Sequence, residues 1–317
     1  MKIVVLDAIT LNPGDLDWDE LETLGDCTIY DRTPESMIVE RSREANVILT
    51  NKVPLSAHTI DNLPLLQYIG VTATGYNIVD VDAAKKRNIL VTNVPTYGSE
   101  SVAQMVFAHI LNLTNHVAEH AQEVSKNKWA KSLDFCFWDY PLIALKGLTL
   151  GIVGAGRIGR ATAKLGNAFD MNVLAYTPRQ PKQQVTGIDF VGLDHLLANS
   201  DIISLHCPLT PETNGFINKE RLAKMKSSAF LINTSRGALI NEVDLAQALN
   251  NGVIAAAGLD VLDQEPPPPD HPLYLLENCY ITPHIAWATS AARANLMKIA
   301  LQNLRSFLEG KAQNVVN

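Results

Sequence analysis

Arg236, Glu265 and His284 are the residues of this chain whose types and settings could do chemistry together. They fall in Ile232-Asn233-Thr234-Ser235-Arg236-Gly237, in Gly258-Leu259-Asp260-Val261 continuing through Glu265-Pro266, and in Thr282-Pro283-His284-Ile285. Each segment follows an apolar run that predicts a strand. An imidazole is the side chain best suited to give or take a proton near neutral pH. A carboxylate behind it favours the charged ring and fixes its orientation and tautomer. A guanidinium grips a carboxylate as a planar fork and polarises a carbonyl next to it. The trio therefore suits protonation of the carbonyl oxygen of a small 2-keto acid, with His284 as the acid, Glu265 behind it and Arg236 on the substrate. Taken singly, each has a duller reading: a surface charge, a satisfied polar group, a loop end before prolines. Residues just past the strands of an open parallel sheet line one crevice, which favours the joint reading.

Reducing a ketone also needs a hydride source. Thr149-Leu150-Gly151-Ile152-Val153-Gly154-Ala155-Gly156-Arg157-Ile158-Gly159 sets G-x-G-x-x-G after an apolar strand and at the head of a helix. Gly154 permits the tight turn, Gly156 clears space for a pyrophosphate, and Gly159 lets helix and strand approach. The amides of Arg157 and Ile158, at the positive end of the helix dipole, would then hold the anion. A glycine-rich turn without a ligand is the alternative, and the strand and helix context favours binding. His206-Cys207-Pro208-Leu209 follows another strand, so Cys207 and Pro208 are expected beside the nicotinamide nucleotide.

NAD enzymes usually carry Asp or Glu at the end of the next strand, where it accepts from the adenosine ribose hydroxyls. This chain has Thr177 there, followed by Pro178, Arg179, Gln180, Pro181 and Lys182. Without the carboxylate a ribose 2′-phosphate is not repelled, and Arg179 can pair with it. The other reading makes Arg179 and Lys182 solvated loop charges. The balance tips narrowly toward NADP, or use of both cofactors, over strict NAD.

The elements that must position these groups alternate along the chain. Apolar runs at 3–6, 47–50, 68–71 and 89–92 are separated by stretches long enough for helices, which predicts a parallel sheet with right-handed crossovers. From Ser99, Val102, Met105, Val106, His109, Ile110 and Leu113 recur at helical spacing and predict a long helix leading into a second domain. Six strand-like runs follow at 149–153, 172–176, 201–205, 229–233, 255–259 and 279–282. A helix over 291–308 should return to the first domain. The expected fold class is α/β with two doubly wound parallel-sheet domains. A Rossmann dinucleotide-binding domain, 100–287, would be inserted into a flavodoxin-like substrate domain made of 1–99 and 288–317.

Of the 317 residues, 47% are hydrophobic and 19% charged, as in a globular protein. A net charge of -7 leaves no positive field to draw nucleic acid or an anionic membrane. No apolar stretch reaches spanning length, and the first apolar run is too short for a signal peptide. Cys27, Cys136, Cys207 and Cys279 show no C-x-x-C spacing, so free thiols, no metal and a cytoplasmic location are expected. Apart from His206 and His284, the histidines are expected mostly at the surface or on helices.

This set of motifs resembles the D-isomer-specific 2-hydroxyacid dehydrogenase family over nearly the whole chain. The resemblance rests on the loop Gly154 to Gly159, His206-Cys207-Pro208-Leu209, Asn233-Thr234-Ser235-Arg236-Gly237, Gly258-Leu259-Asp260-Val261, Glu265-Pro266 and Pro283-His284. It implies catalytic roles for Arg236, Glu265 and His284, and it places Thr234, Ser235 and Asp260 at the cofactor. The stretches Asn93 to Gln104 and Phe135 to Pro141 look most like the glycerate dehydrogenases, also called hydroxypyruvate reductases. That implies NAD(P)H-dependent reduction of hydroxypyruvate or glyoxylate. It also implies a substrate loop whose amides at Thr74 and Gly75 meet the substrate carboxylate. Trp138 is similar to an aromatic residue that in some relatives reaches a neighbouring subunit's site, which implies a homodimer. The alternative leaves Trp138 buried under its own loop. Thr177 and Trp287 depart from the commoner family residues. Formate dehydrogenases share the fold with a glutamine where Glu265 stands. D-lactate dehydrogenase, or a cofactor-sensing corepressor, are the other functions that the resemblance leaves open.

Overall fold

Runs of Val, Ile and Leu form the buried strands, because a parallel strand covered on both faces leaves no side for polar groups. The computed structural model describes residues 1–179 and 184–317, so Lys182 lies outside the described residues. The chain divides into two compact units, Met1–Gly98 with Trp287–Asn317, and Ser99–Ala286.

In the first unit, β1 (Lys2–Val5), β2 (Asp26–Ile29), β3 (Val47–Thr50), β4 (Tyr68–Val71) and β5 (Leu90–Thr92) pair in parallel in the order β2-β1-β3-β4-β5. This is the flavodoxin-like order. Ile3, Val5, Val47 and Leu49 point to one face and pack on Leu296, Ala300, Leu301 and Leu304 of the helix Ser290–Leu308. Val4, Leu6, Ile48, Ile69 and Val91 form the core on the other face. The strand β2 is absent from the sequence expectation for a physical reason. It is an edge strand, Asp-Cys-Thr-Ile, with alternating exposure and no apolar run.

In the second unit, β6 (Thr149–Val153), β7 (Asn172–Tyr176), β8 (Asp189–Phe190), β9 (Ile202–Leu205), β10 (Phe230–Asn233), β11 (Ala256–Leu259) and β12 (Cys279–Ile281) form a parallel sheet. Its order, β12-β11-β10-β9-β6-β7-β8, is the Rossmann arrangement with one further strand. The six expected strands are there, and β8 is added: two residues on an edge carry no periodicity to read. The helix Ser99–Asn115 lays Val106, Phe107, Ile110 and Leu113 against Leu150, Ile152, Ile202 and Ile232 of the sheet.

Register matters most for the site. Tyr176, Val153, Leu205, Asn233, Leu259 and Ile281 stand side by side across successive strands. Six exit loops therefore leave the sheet from one level. Among the described residues, no helix is long and apolar enough to cross a membrane. Also among them, no group of three or more His, Cys, Asp or Glu side chains is placed to hold a metal.

Candidate active site

The loop after β6 has the shape that its glycines suggest. Gly154 has φ +101°, and a Cβ there would stand 2.5 Å from the Cys207 amide nitrogen, so the His206-Cys207 turn packs directly on it. A Cβ on Gly159 would lie 2.2 Å from the Gly154 carbonyl oxygen. Helix Arg157–Ala168 can thus start tight against the strand. Its N-cap, Gly156, offers no side-chain acceptor, and nothing among the described residues lies within 4 Å of where its Cβ would be. The first-turn amides have no intrahelical acceptor, and the bare Gly156 before them leaves room that fits a dinucleotide pyrophosphate. Thr234 Oγ1 is also buried at the same edge, without a hydrogen-bond partner among the described residues.

Arg236 is carried by a loop that one buried amide stitches together. Asn233 is fully buried; its Oδ1 accepts from Ser235 N at 3.0 Å and its Nδ2 donates to Arg236 O at 2.8 Å. Leaving such a buried amide unsatisfied would cost about 1–3 kcal/mol, so the two bonds specify the loop. Ser235 Oγ donates to Leu205 O on the neighbouring strand at 2.7 Å. Arg236 itself is exposed, with Nη1 donating to Ser235 O at 2.7 Å. A Cβ on Gly237 would meet the Leu262 carbonyl carbon at 1.9 Å. The Arg236 loop and the loop carrying Glu265 therefore touch backbone to backbone.

Glu265 and His284 meet side chain to side chain, with Nδ1 2.6 Å from Oε2. Leu262 N donates to the other carboxylate oxygen, Oε1, at 3.1 Å. An acceptor at Nδ1 assigns the proton there and leaves Nε2 for exchange with a reacting group. The imidazole keeps 29% of its side-chain surface exposed, so a ligand can reach it. His284 adopts φ +55° in a turn templated on Asp260. Asp260 O accepts from His284 N at 2.8 Å, Oδ1 from Ile285 N at 2.9 Å and Oδ2 from Ala286 N at 2.8 Å.

His206 follows β9 with Nε2 2.9 Å from Ser204 Oγ, while its Nδ1 is closed off from solvent. Burial holds its pKa down at about 3, against an ordinary 6.5, so the ring is neutral near pH 7. A depressed imidazole pKa contributes stability that is complete above the unfolded value and is lost as pH falls toward the folded one. The denaturant midpoint of the native chain should therefore fall more steeply between pH 6.5 and about 3 than that of His206→Gln. Parallel curves would contradict the enclosed ring.

The remaining expected residues are placed as follows. Thr177 is half-buried just past β7, and Arg179 is exposed two residues further on. In the first unit, Thr74 Oγ1 donates to Val94 O at 2.8 Å and Thr74 O accepts from Asn93 Nδ2 at 2.7 Å. These bonds hold Thr74 and Gly75 at the carboxyl edge of that sheet, after β4. Trp138 is 65% exposed, not buried under its own loop, beside other exposed apolar residues at Leu133, Phe135 and Leu142.

His271 departs from the expectation of a surface or helix position, and His109, on a helix as expected, is buried. His271 is buried and bonded to Glu242 Oε2 at 3.0 Å, while Glu242 Oε1 accepts from Asp263 N at 2.8 Å. The pair anchors the Glu265 loop to the helix Glu242–Asn250. His109 is buried within the helix Ser99–Asn115 and reaches Thr282 Oγ1 with Nε2 at 3.1 Å. These contacts span 29 and 173 residues, so no local spacing signals them.

Comparison with known proteins agrees with this geometry. The family model described as "D-isomer specific 2-hydroxyacid dehydrogenase, NAD binding domain" matches residues 107–286. A hydroxypyruvate reductase of Blautia hydrogenotrophica is 50% identical over 321 residues, covering 100% of both chains. A glycerate dehydrogenase of Methylorubrum extorquens is 42% identical over 288 residues, covering 90% of this chain and 89% of that protein. Among solved structures, an acyclic imino acid reductase in complex with NADPH and D-Arg superimposes with a TM-score of 0.86 at 30% identity, covering 100% of both chains. With a family model over more than half its length and relatives this similar along 90% or more of it, the chain belongs to the D-isomer-specific 2-hydroxyacid dehydrogenase family.

Proposed function

We propose that the protein reduces hydroxypyruvate or glyoxylate to D-glycerate or glycolate with NAD(P)H, and catalyses the reverse oxidation. The observation that carries this reading is the 2.6 Å contact of His284 Nδ1 with Glu265, which leaves Nε2 out of that bond on a side chain that stays 29% exposed. The nicotinamide, when bound, supplies the hydride that goes to the carbonyl carbon. His284 Nε2–H delivers the proton to the carbonyl oxygen, and Glu265 stabilises the ring while it is charged. In the oxidation the same nitrogen takes the hydroxyl proton back. The Arg236 guanidinium binds the substrate carboxylate and draws charge toward the carbonyl oxygen. In this reading the unit Ser99–Ala286 holds the dinucleotide, with Thr234, Ser235, Cys207, Pro208 and Asp260 beside the nicotinamide half. Thr74 and Gly75, on the loop after β4, are the further residues proposed to bind substrate.

Thr177 and Arg179 favour NADP or use of both cofactors. Thr177→Asp should shift the ratio of kcat/KM for NADH over NADPH upward by about tenfold, because the new carboxylate repels a 2′-phosphate at a partly solvated site. An unchanged ratio would remove the argument from this position. The exposed apolar run around Leu133, Phe135 and Trp138 supports a homodimer that covers it and brings Trp138 toward the partner's substrate.

A panel of hydroxypyruvate, glyoxylate and pyruvate with each reduced cofactor tests the whole reading. Hydroxypyruvate or glyoxylate is expected to give the highest kcat/KM. A preference for pyruvate would make the chain a D-lactate dehydrogenase. Cofactor binding without turnover would make it a cofactor-sensing binding protein.

A further inference from the structure

We propose that His109 is a positioning residue for the catalytic acid, acting through the Thr282 hydroxyl on Asp260 and so on the turn that aims His284. The proposal rests on the reading of His284 as that acid.

Thr282 Oγ1 lies 2.6 Å from Asp260 Oδ1, and a carboxylate only accepts, so the hydroxyl donates to it. The Thr282 oxygen then accepts from His109 Nε2, 3.1 Å away, which requires the proton on that nitrogen. The direction of the chain is thereby fixed: His109 Nε2–H to Thr282 O–H to Asp260. Burial lowers the His109 pKa against the opposing pull of the Asp260 charge, which keeps the ring neutral near pH 7. A neutral ring with its proton on Nε2 is the form that the chain needs.

At its far end, Asp260 takes the amides of Ile285 and Ala286 on its carboxylate and that of His284 on its carbonyl. Three consecutive residues are moulded on one aspartate, and the first of them sits at φ +55°. A side chain with a free χ1 would make a poor template. The Thr282 bond restrains the rotation that the two amide bonds alone would allow.

The fold makes room for this arrangement at one position. A Cβ on Gly258 would lie 2.8–2.9 Å from His109 Cβ, Cγ and Nδ1, so His109 packs closely against a strand residue that has no side chain. Gly258, in β11, stands two residues before Asp260. The Gly258-Leu259-Asp260 run therefore supplies both the seat for the histidine and the carboxylate at the end of the chain. His109 is remote from the Glu265 contact, which His284 makes with its own Nδ1. Its effect must reach the acid through the backbone.

The test compares His109→Leu and His109→Gln in the full-length protein. Gln carries its amide nitrogen about as far from Cα as the imidazole Nε2, whereas Leu removes the donor at similar volume. Leu should lower kcat about tenfold, since small misplacements of a reacting group have effects of this order or larger. KM for the keto acid and for the cofactor should stay within about twofold, because the substrate-binding groups are untouched. Gln should restore most of kcat. Equal kcat for Leu, Gln and the native chain, or equal losses in both variants, would overturn the proposal. Should His109→Leu not fold, Thr282→Val removes the same link isosterically and should show the same fall in kcat; native kcat in that variant would overturn it. Long-range 1H–15N spectra of the native imidazole give a readout independent of turnover. A neutral His109 ring protonated at Nε2, with a signal that moves in Thr282→Val, is expected. A neutral ring protonated at Nδ1 alone, or a signal unmoved in Thr282→Val, overturns the link. If the native chain turns over no keto acid, the proposed reaction fails, and the spectra still decide whether His109 holds Thr282.

Discussion

His284→Ala is expected to lower kcat by about 10²–10⁴, the range typical of losing a general acid, while reduced cofactor still binds. The effect should be confined to chemistry. The imidazole retains 29% of its side-chain surface, so truncation opens no cavity in the core. The turn at this position is held by backbone bonds to Asp260 that an alanine can also make. Fluorescence titration with NADH and NADPH should give native affinities alongside the lost turnover. A variant that keeps native kcat would exclude His284 as the acid. One that loses cofactor binding in parallel would point to a structural role.

Arg236→Gln is expected to lower kcat/KM roughly 10³-fold, through kcat as well as KM, if the guanidinium both holds the substrate carboxylate and stabilises charge on the carbonyl oxygen. The Asn233 and Ser235 bonds that shape the loop do not involve the Arg236 side chain, so the loop should survive. Arg236→Lys restores charge but not the planar fork, and should recover only part of the activity. Steady-state kinetics with hydroxypyruvate separates the two contributions. A rise in KM alone would reduce Arg236 to uniform binding, and native kinetics would remove it from the site.

Both predictions concern residues that can be picked out of the amino-acid sequence, because each sits in a local pattern that physics constrains. The strand before Arg236, Phe230–Asn233, is an apolar run buried throughout, the half-buried strand before His284 keeps apolar residues, and the glycines of 154–159 occupy positions where a Cβ would collide or where a pyrophosphate is proposed to approach. Two edge strands escape such reading. Asp26-Cys27-Thr28-Ile29 is half solvated and polar, and Asp189-Phe190 is shorter than any period. The supporting polar groups escape it for another reason. His109 falls among the apolar positions of its helix, and nothing near it in sequence announces a threonine 173 residues away. The Glu242–His271 clamp is hidden likewise, since its partners meet only when tertiary packing brings the helix Glu242–Asn250 against the loop before β12. Candidate residues are thus legible where a backbone pattern marks them; the groups that hold them, which only three-dimensional packing assembles, are not. Cofactor choice falls between: Thr177 is read at once, whereas Lys182, five residues on in the sequence, lies outside the described residues.

Stereospecific reduction of a 2-keto acid at this site is tested most directly by chiral analysis of the product formed from hydroxypyruvate and an equimolar amount of reduced cofactor. D-Glycerate, formed one for one with the cofactor oxidised and absent with His284→Ala, is the expected result. L-Glycerate, or no glycerate with either NADH or NADPH, would contradict the account.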